Sequence, residues 1–255
     1  MKELNGRTAL LTGASTGIGP YIARKLAETS VRLVLTGRKR EALEELSREL
    51  QGARFIVADL TERGAAEKLI AEAGDIDILV ANAGIGAGGS ITELSIQEID
   101  EALDINLRQG MVLAKLVVPR MRSRGGGHIV FMASLAGKMP AAHNSVYNAT
   151  KFGLRGFGHA LRAELKPDGI GVSLISPTFV SDAGLFARTG AKAPAVAGQV
   201  TPEEVAEAVV KAIRNNRAEV DVAPVHARIG ARVALAVPEV AVSIAGRSTS
   251  LPREK

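Results

Sequence analysis

Two tyrosine–lysine pairs in this 255-residue chain share one spacing. Tyr147 and Lys151 stand in "SVYNATKFG"; Tyr21 and Lys25 stand in "PYIARK", and the chain has no third tyrosine. Four residues apart on a helix, the two side chains of each pair lie on one face. A phenol beside an ammonium is either a proton-transfer site or a solvated helix surface. Spacing does not separate the two pairs, so their places in the chain must.

A second candidate site is "LLTGASTGIGP" at 10–20, which begins as a strand and ends at a helix start. Gly13, Gly17 and Gly19 make a G-x-x-x-G-x-G pattern around Ser15, Thr16 and Ile18. Such a turn lets backbone N–H groups approach a pyrophosphate, with the positive end of a helix dipole behind them. Ser15 and Thr16 add hydroxyl donors, and Pro20 suits the first helical turn. The second strand ends "VLTGRKR". In dinucleotide folds an acid there accepts from a ribose 2′-OH, whereas an arginine favours a 2′-phosphate. Gly37 occupies the acid's place and Arg38 follows, so NADP(H) is the expected cofactor, with NAD(H) as the second choice. Asp59, followed by Leu60, ends the third strand. It is placed either to accept from an adenine amino group or to cap the next helix, as Thr61 also is.

The elements that must position these residues follow from hydrophobic patterning. Apolar, β-branched runs occur at 8–13, 31–37, 53–59, 75–84, 127–134, 170–177 and 218–224. Amphipathic stretches fall near 20–29, 39–50, 62–73, 95–123, 145–166 and 202–215. Strands alternating with helices predict an α/β fold: one doubly wound Rossmann-type domain with about seven parallel strands covered on both faces. The domain spans 1–224. The apolar, arginine-bearing tail at 225–255 is expected to form one or two helices around Pro238, packed on the domain or on an oligomer partner. Weak contact with a membrane surface is its second reading.

Composition narrows the function classes. Apolar residues are 46% and charged residues 23%, as in a globular protein. The net charge is +5, but aromatics are only 3% and the basic residues are scattered, which speaks against a nucleic-acid surface. Cysteine is absent, which removes disulfides and thiolate chemistry, and four histidines lack ligand-like spacing, so no metal is expected. Neither a signal-like leader nor a spanning apolar run is seen, and a cytoplasmic location is the expectation.

Taken together, "TGASTGIG" (12–19), "DL" (59–60), "ANAG" (81–84), Asn106 in "DINL", Ser134 in "MASLAG", "YNATK" (147–151) and "SPTFV" (176–180) resemble the short-chain dehydrogenase/reductase family over about 1–224. The resemblance implies hydride transfer between a nicotinamide and a carbonyl or alcohol carbon. It makes Tyr147 the proton donor and Ser134 the hydrogen-bond donor to the substrate oxygen. Lys151 becomes the group that lowers the phenol's pKa and holds the nicotinamide ribose. The chemistry agrees: a free phenol titrates near 10, and a neighbouring ammonium favours its ionised form. Asn106 corresponds to the helix-interrupting asparagine of a proton relay. Asn82, Ala83 and Gly84 would let the backbone approach the adenine ribose, while Pro177 and Val180 match the segment after the sixth strand. No such role is implied for Tyr21.

The chain departs from the family at Thr178, where glycine is common, and at Asp182, where threonine is common. It also lacks the family's Gly-Gly after the last strand. The segment 181–200 is the expected substrate lid, with Leu185, Phe186 and Val196 suggesting an apolar pocket. Met139, His143 and Asn144 are candidates for its wall, His143 as a loop residue and not a catalyst. The expected partner is a small carbonyl or alcohol, lipophilic or a 3-oxoacyl group. The alternative is a catalytically silent NADP(H)-binding sensor or scaffold. Helices at 95–123 and 145–166 resemble those that pair family members, so a homo-oligomer, dimer or tetramer, is expected.

Overall fold

Strand β1 (Thr8–Thr12) carries four consecutive buried residues and runs directly into the glycine loop. Helix α1 (Gly19–Ala27) then turns Ile22, Ala23 and Leu26 to the core. The alternation continues through β2 (Arg32–Gly37), α2 (Arg40–Glu49), β3 (Arg54–Val57), α3 (Ala65–Ala73) and β4 (Ile78–Ala81). The second half comprises α4 (Ile96–Leu103), α5 (Gln109–Ser123), β5 (Gly127–Met132), α6 (Ser145–Leu165) and β6 (Ile170–Pro177). Then come β7 (Phe179–Val180), α7 (Gly184–Ala187), β8 (Gln199–Val200), α8 (Pro202–Arg214), β9 (Glu219–Val222), α9 (Val225–Ala236) and α10 (Pro238–Ala245). The structure, a computed structural model, describes residues 1–187 and 198–245.

Seven strands form one parallel sheet in the order β3-β2-β1-β4-β5-β6-β9, as the alternating pattern predicts. Parallel strands covered on both faces have no solvent side. Accordingly β5 and β6 are buried along their whole lengths. One face packs Ile22, Leu26, Leu43, Val205, Val209 and Ile213 from α1, α2 and α8. The other packs Leu69, Leu113, Val117, Leu154 and Leu161 from α3, α5 and α6. The strand order reverses between β1 and β4, and such a switch point opens a crevice at the carboxyl ends of the strands. β7 and β8 form a separate two-stranded pair through Phe179–Gln199 and Val180–Val200.

Within the stretch 95–123 a π-helical turn at Asp104–Arg108 separates α4 from α5, the interruption that the resemblance implied at Asn106. Asp59 does not cap α3, whose N-cap is Gly64; its Oδ1 instead accepts from the N–H and hydroxyl of Thr61, closing a turn. In the tail, α9 sets Ala227 and Ala231 against Leu135 and Met139, while Val225, Ile229 and Val233 face outward. Among the described residues no helix is long and apolar enough to cross a membrane.

Candidate active site

The glycine loop is held open by contacts that exclude side chains. A Cβ on Gly19 would lie 2.0 Å from the Gly13 carbonyl oxygen, and one on Gly13 would meet the Ala83 backbone at 3.0 Å. Gly13 and Gly17 also have positive φ, 65° and 60°. Ala14 N–H donates to the Thr36 carbonyl, tying the loop to the end of β2. Helix α1 then starts without a side-chain cap and without an acid in its first turn, with Pro20 beside its first residue. Its positive dipole end therefore faces the crevice, a setting suited to an anion. Ser15, Thr16 and Ile18 are half-buried around it.

Across the switch point, Asn82 binds β4 to β1. Its Nδ2 donates to the carbonyls of Thr12 and Gly13, and its own N–H and that of Ala83 donate to Thr12 Oγ1. Asn106 sits inside the π-helical turn, 3% exposed. Its Oδ1 accepts from Ile85 N–H at 2.8 Å and its Nδ2 donates to the Ile85 carbonyl at 2.9 Å. A Cβ built on Gly84 would lie 3.1 Å from Asn106 Oδ1 and 3.9 Å from Lys151 Nζ. Gly84 thus keeps the space between these two groups open.

Ser134 leaves the end of β5 in extended backbone and opens a 3₁₀ turn at Leu135–Gly137. Its Oγ accepts from Ala136 N–H at 3.1 Å and donates to the Pro177 carbonyl at 3.4 Å. Tyr147 and Lys151 lie one turn apart on α6, with Lys151 Nζ 5.5 Å from the centre of the phenol ring. Lys151 is 4% exposed and its Nζ donates to the Met132 carbonyl at 3.0 Å. Burial pushes its pKa down from 10.5 to about 8. The structure therefore brings Ser134, Tyr147, Lys151 and Asn106 to one end of the sheet, beside the glycine loop.

The other pair is different in kind. Lys25 pairs with Glu28 at 2.7 Å and with Glu207 of α8 at 3.0 Å, and Arg24 lies over the Tyr21 ring. It is a half-exposed packing site between α1 and α8.

A family model described as short chain dehydrogenase matches residues 7–190. The chain belongs to the short-chain dehydrogenase/reductase family. It is 41% identical over 228 residues to "Ketoacyl reductase HetN" of Nostoc sp. (strain PCC 7120), covering 86% of this chain and 79% of that one. A solved metagenomic short-chain oxidoreductase in complex with NADP is 34% identical, with a TM-score of 0.73 over 87% of this chain and 98% of the other. A 3-ketoacyl-(acyl-carrier-protein) reductase from Brucella melitensis, complexed with NADH, has a TM-score of 0.79 over 88% of this chain and 99% of the other. At 24% identity, that likeness shows the fold alone. The chain is thus a short-chain dehydrogenase/reductase enzyme of the Rossmann type, and the family uses a nicotinamide cofactor.

The remaining candidate residues of this dehydrogenase surround the same crevice. Leu60 and Val180 are buried, and Gly184, after Val180, lies against Ile18. Arg38 is largely exposed and stands 4.0 Å from Asp59. A Cβ on Gly37 would come 2.4 Å from Ser15 Oγ, so the glycine loop occupies the place where an acid's side chain would begin. His143 is exposed at a positive φ of 57°, and its carbonyl accepts from Gly89 N–H. Asn144 is buried and Leu185 half-buried. Residues 188–197 of the expected lid, including Val196, lie outside the described residues.

Sequence reading missed the residues that join the serine turn to α6. Asn148, next to Tyr147, accepts from Ala141 N–H and donates to the carbonyls of Ala136 and Met139. A Cβ on Gly137 would lie 2.7 Å from the Lys151 carbonyl oxygen, so the turn packs directly on α6. Gly137→Ala is expected to destabilise the fold by about 1–3 kcal/mol and to lower turnover more than dinucleotide affinity. Thermal melts and steady-state kinetics check this, and unchanged turnover would show that the turn tolerates displacement. A signal for Asn148 was present: an amide beside the tyrosine on a helix with an apolar face needs partners.

Proposed function

We propose that this enzyme is an NADP(H)-dependent carbonyl reductase acting on a lipophilic ketone or 3-oxoacyl group. One observation carries the reading: a buried lysine stands beside a tyrosine at the carboxyl end of β5, with the turn that Ser134 opens packed against the lysine. The residues fit a dinucleotide. At Gly13 and Gly19 the loop has no room for a side chain, and α1 presents an uncapped N-terminus. The cofactor, when bound, supplies or accepts the hydride at its nicotinamide ring.

The protein's part is positioning and proton transfer. Ser134 Oγ donates a hydrogen bond to the substrate oxygen, where negative charge develops. Tyr147 donates the proton that turns this oxygen into a hydroxyl. Lys151, largely protonated at neutral pH with its pKa about 8, favours the phenolate left behind. Asn106 belongs to the route that resupplies the proton. A cavity of about 10 Å³, room for one water at most, lies beside Asn106, Gln109 and Met132. Gly13, Ser15, Thr16, Gly17, Ile18 and Gly19 would hold the pyrophosphate, with Asn82, Ala83, Gly84, Asp59 and Leu60 around the adenosine. Pro177 and Val180 would flank the nicotinamide.

NADP(H) is favoured over NAD(H) by Arg38 and by Gly37. The loop hydroxyl of Ser15 fills the space an acid at position 37 would need, and the adjoining guanidinium suits a 2′-phosphate. Arg38→Ala is expected to weaken NADPH by about 10- to 100-fold and NADH by less than about two-fold, read by fluorescence titration. Equal weakening of both would remove the argument. The ketoacyl preference draws on the name of the Nostoc relative. A panel of 3-oxoacyl thioesters, ketones and alcohols, run with both dinucleotides, tests it. Ile96, Leu103 and Phe152 expose apolar surface on α4 and α6, which supports a homo-oligomer built on that face.

A further inference from the structure

The serine turn ends at Lys138, whose side chain crosses to the last strand of the sheet. Lys138 is 4% exposed. Its Nζ lies 3.0 Å from Glu219 Oε1 and also pairs with Asp221 Oδ1, 83 residues away. Glu219 and Asp221 are two residues apart on β9, so both project from one face of the strand. Glu219 has further partners. Arg155 Nε donates to it at 2.9 Å, His159 Nε2 lies at 3.2 Å, and Ser176 Oγ donates at 3.4 Å. Arg155 and His159 stand eight and twelve residues beyond Tyr147 on α6, continuing the stripe that holds Tyr147 and Lys151. One carboxylate therefore grips both the helix of Tyr147 and the turn of Ser134.

We propose that Lys138 is a positioning residue that fixes Ser134 against Tyr147 by anchoring the serine turn to Glu219 and Asp221. Buried ion pairs rarely stabilise a fold more than well-packed apolar residues would, because both charges lose their hydration. Here two cations, Lys138 and Arg155, balance two carboxylates. Burial pushes the Glu219 carboxyl up, yet the hydrogen bonds from Arg155 and Lys138 bring it below its ordinary value. Glu219 thus stays ionised between its two cationic partners. Ser134 is four residues from Lys138 and forms the first residue of the same turn, whose other side packs on Lys151 through Gly137. Releasing Lys138 removes the turn's anchor to β9, leaving only the Asn148 bonds to Ala136 and Met139 on the α6 side, and leaves the glycine loop untouched.

The inference rests on the reductase reading for its kinetic test, and amide exchange gives a readout free of it. Lys138→Met in the full chain is expected to lower kcat for carbonyl reduction by about 10- to 100-fold with the dinucleotide KM changed by less than about two-fold. In a Ser134→Ala background the same substitution is expected to cost less than about two-fold, because its effect passes through Ser134. Exchange of the amides at 134–139 is expected to quicken while β1, β4 and β5 keep their protection. A lowered melting temperature with unchanged kcat well below it, or equal costs in both backgrounds, would overturn the proposal. If Lys138→Met does not fold, Asp221→Asn, which preserves volume, is read the same way. If the wild type reduces no carbonyl on the panel, the reductase reading fails. Exchange at 134–139 then decides the anchor alone, and unchanged protection in the variant would reject it.

Discussion

Tyr147→Phe is expected to lower turnover by about 10²- to 10⁴-fold while leaving dinucleotide affinity within about two-fold. The substitution removes one hydroxyl and keeps the ring. That ring packs against a small cluster of Ala87, Ala102 and Val146, so fold and crevice are expected to persist. The substitution leaves Ser134, Lys151 and the residues of the cradle between Gly13 and Gly19 unchanged. The loss therefore falls on the proton-transfer step. Tyr21→Phe is the matched control. It has the same lysine spacing, but its lysine is held by Glu28 and Glu207 on the surface, and its turnover is expected to equal that of the wild type. Steady-state kinetics on both variants, with fluorescence titration of NADPH, check the pair. Substantial activity in Tyr147→Phe would refute the proton-donor role.

Lys151→Met is expected to abolish most turnover and yet to stabilise the protein without cofactor. The ammonium is buried with a carbonyl as its hydrogen-bond acceptor, and burial lowers its pKa from 10.5 to about 8. A lysine whose native pKa is depressed destabilises the fold while it is protonated. The cost is fully present below pH 8, where both the folded and unfolded chains hold the proton. Between pH 8 and 10.5 the folded chain releases it first, the unfolded chain binds more protons, and stability rises. The full cost corresponds to about 3 kcal/mol, offset by roughly 1 kcal/mol for the lost hydrogen bond to Met132. Melts of the two proteins from pH 7 to pH 10 are expected to show the variant ahead at pH 7 and the gap closing above pH 8. A gap that does not depend on pH would mean that the buried ammonium is not its cause. Turnover is expected to fall by about 10²-fold or more, an instance of a catalytic group kept at a cost in stability.

Much of this was legible in the sequence because it is local. Short apolar runs and the period-3.6 pattern place β1, β5, β6 and α6 within a few residues of where they lie. The crevice follows from strand order, and Gly13, Ser134 and Tyr147 each stand just beyond a strand or at the start of a helix. What escaped is non-local or compensated. The pattern alone shows Asn106 as one polar residue in a long helical stretch; its interruption of the helix was legible only through the family resemblance. Its partner was not legible, because the side chain satisfies the Ile85 backbone 21 residues away. Asp59 looked like a cap, but a turn to Thr61 comes first and α3 begins later at Ala65. Lys138, Glu219 and Asp221 gave no periodic signal, since their pairing spans 81 and 83 residues and is made only when β9 joins β6. Substrate choice was legible least, because apolar loop residues near the site admit many carbonyl compounds.

The central claim is that this chain moves a hydride from a nicotinamide to a carbonyl carbon. The most direct test is reduction with NADPH deuterated at the transferred position of C4, followed by mass spectrometry of the alcohol formed from 3-oxoacyl thioesters and ketones. The account predicts deuterium on the carbinol carbon with the wild type and almost none with Tyr147→Phe. Tight NADPH binding with no labelled alcohol from any member of the panel would contradict it.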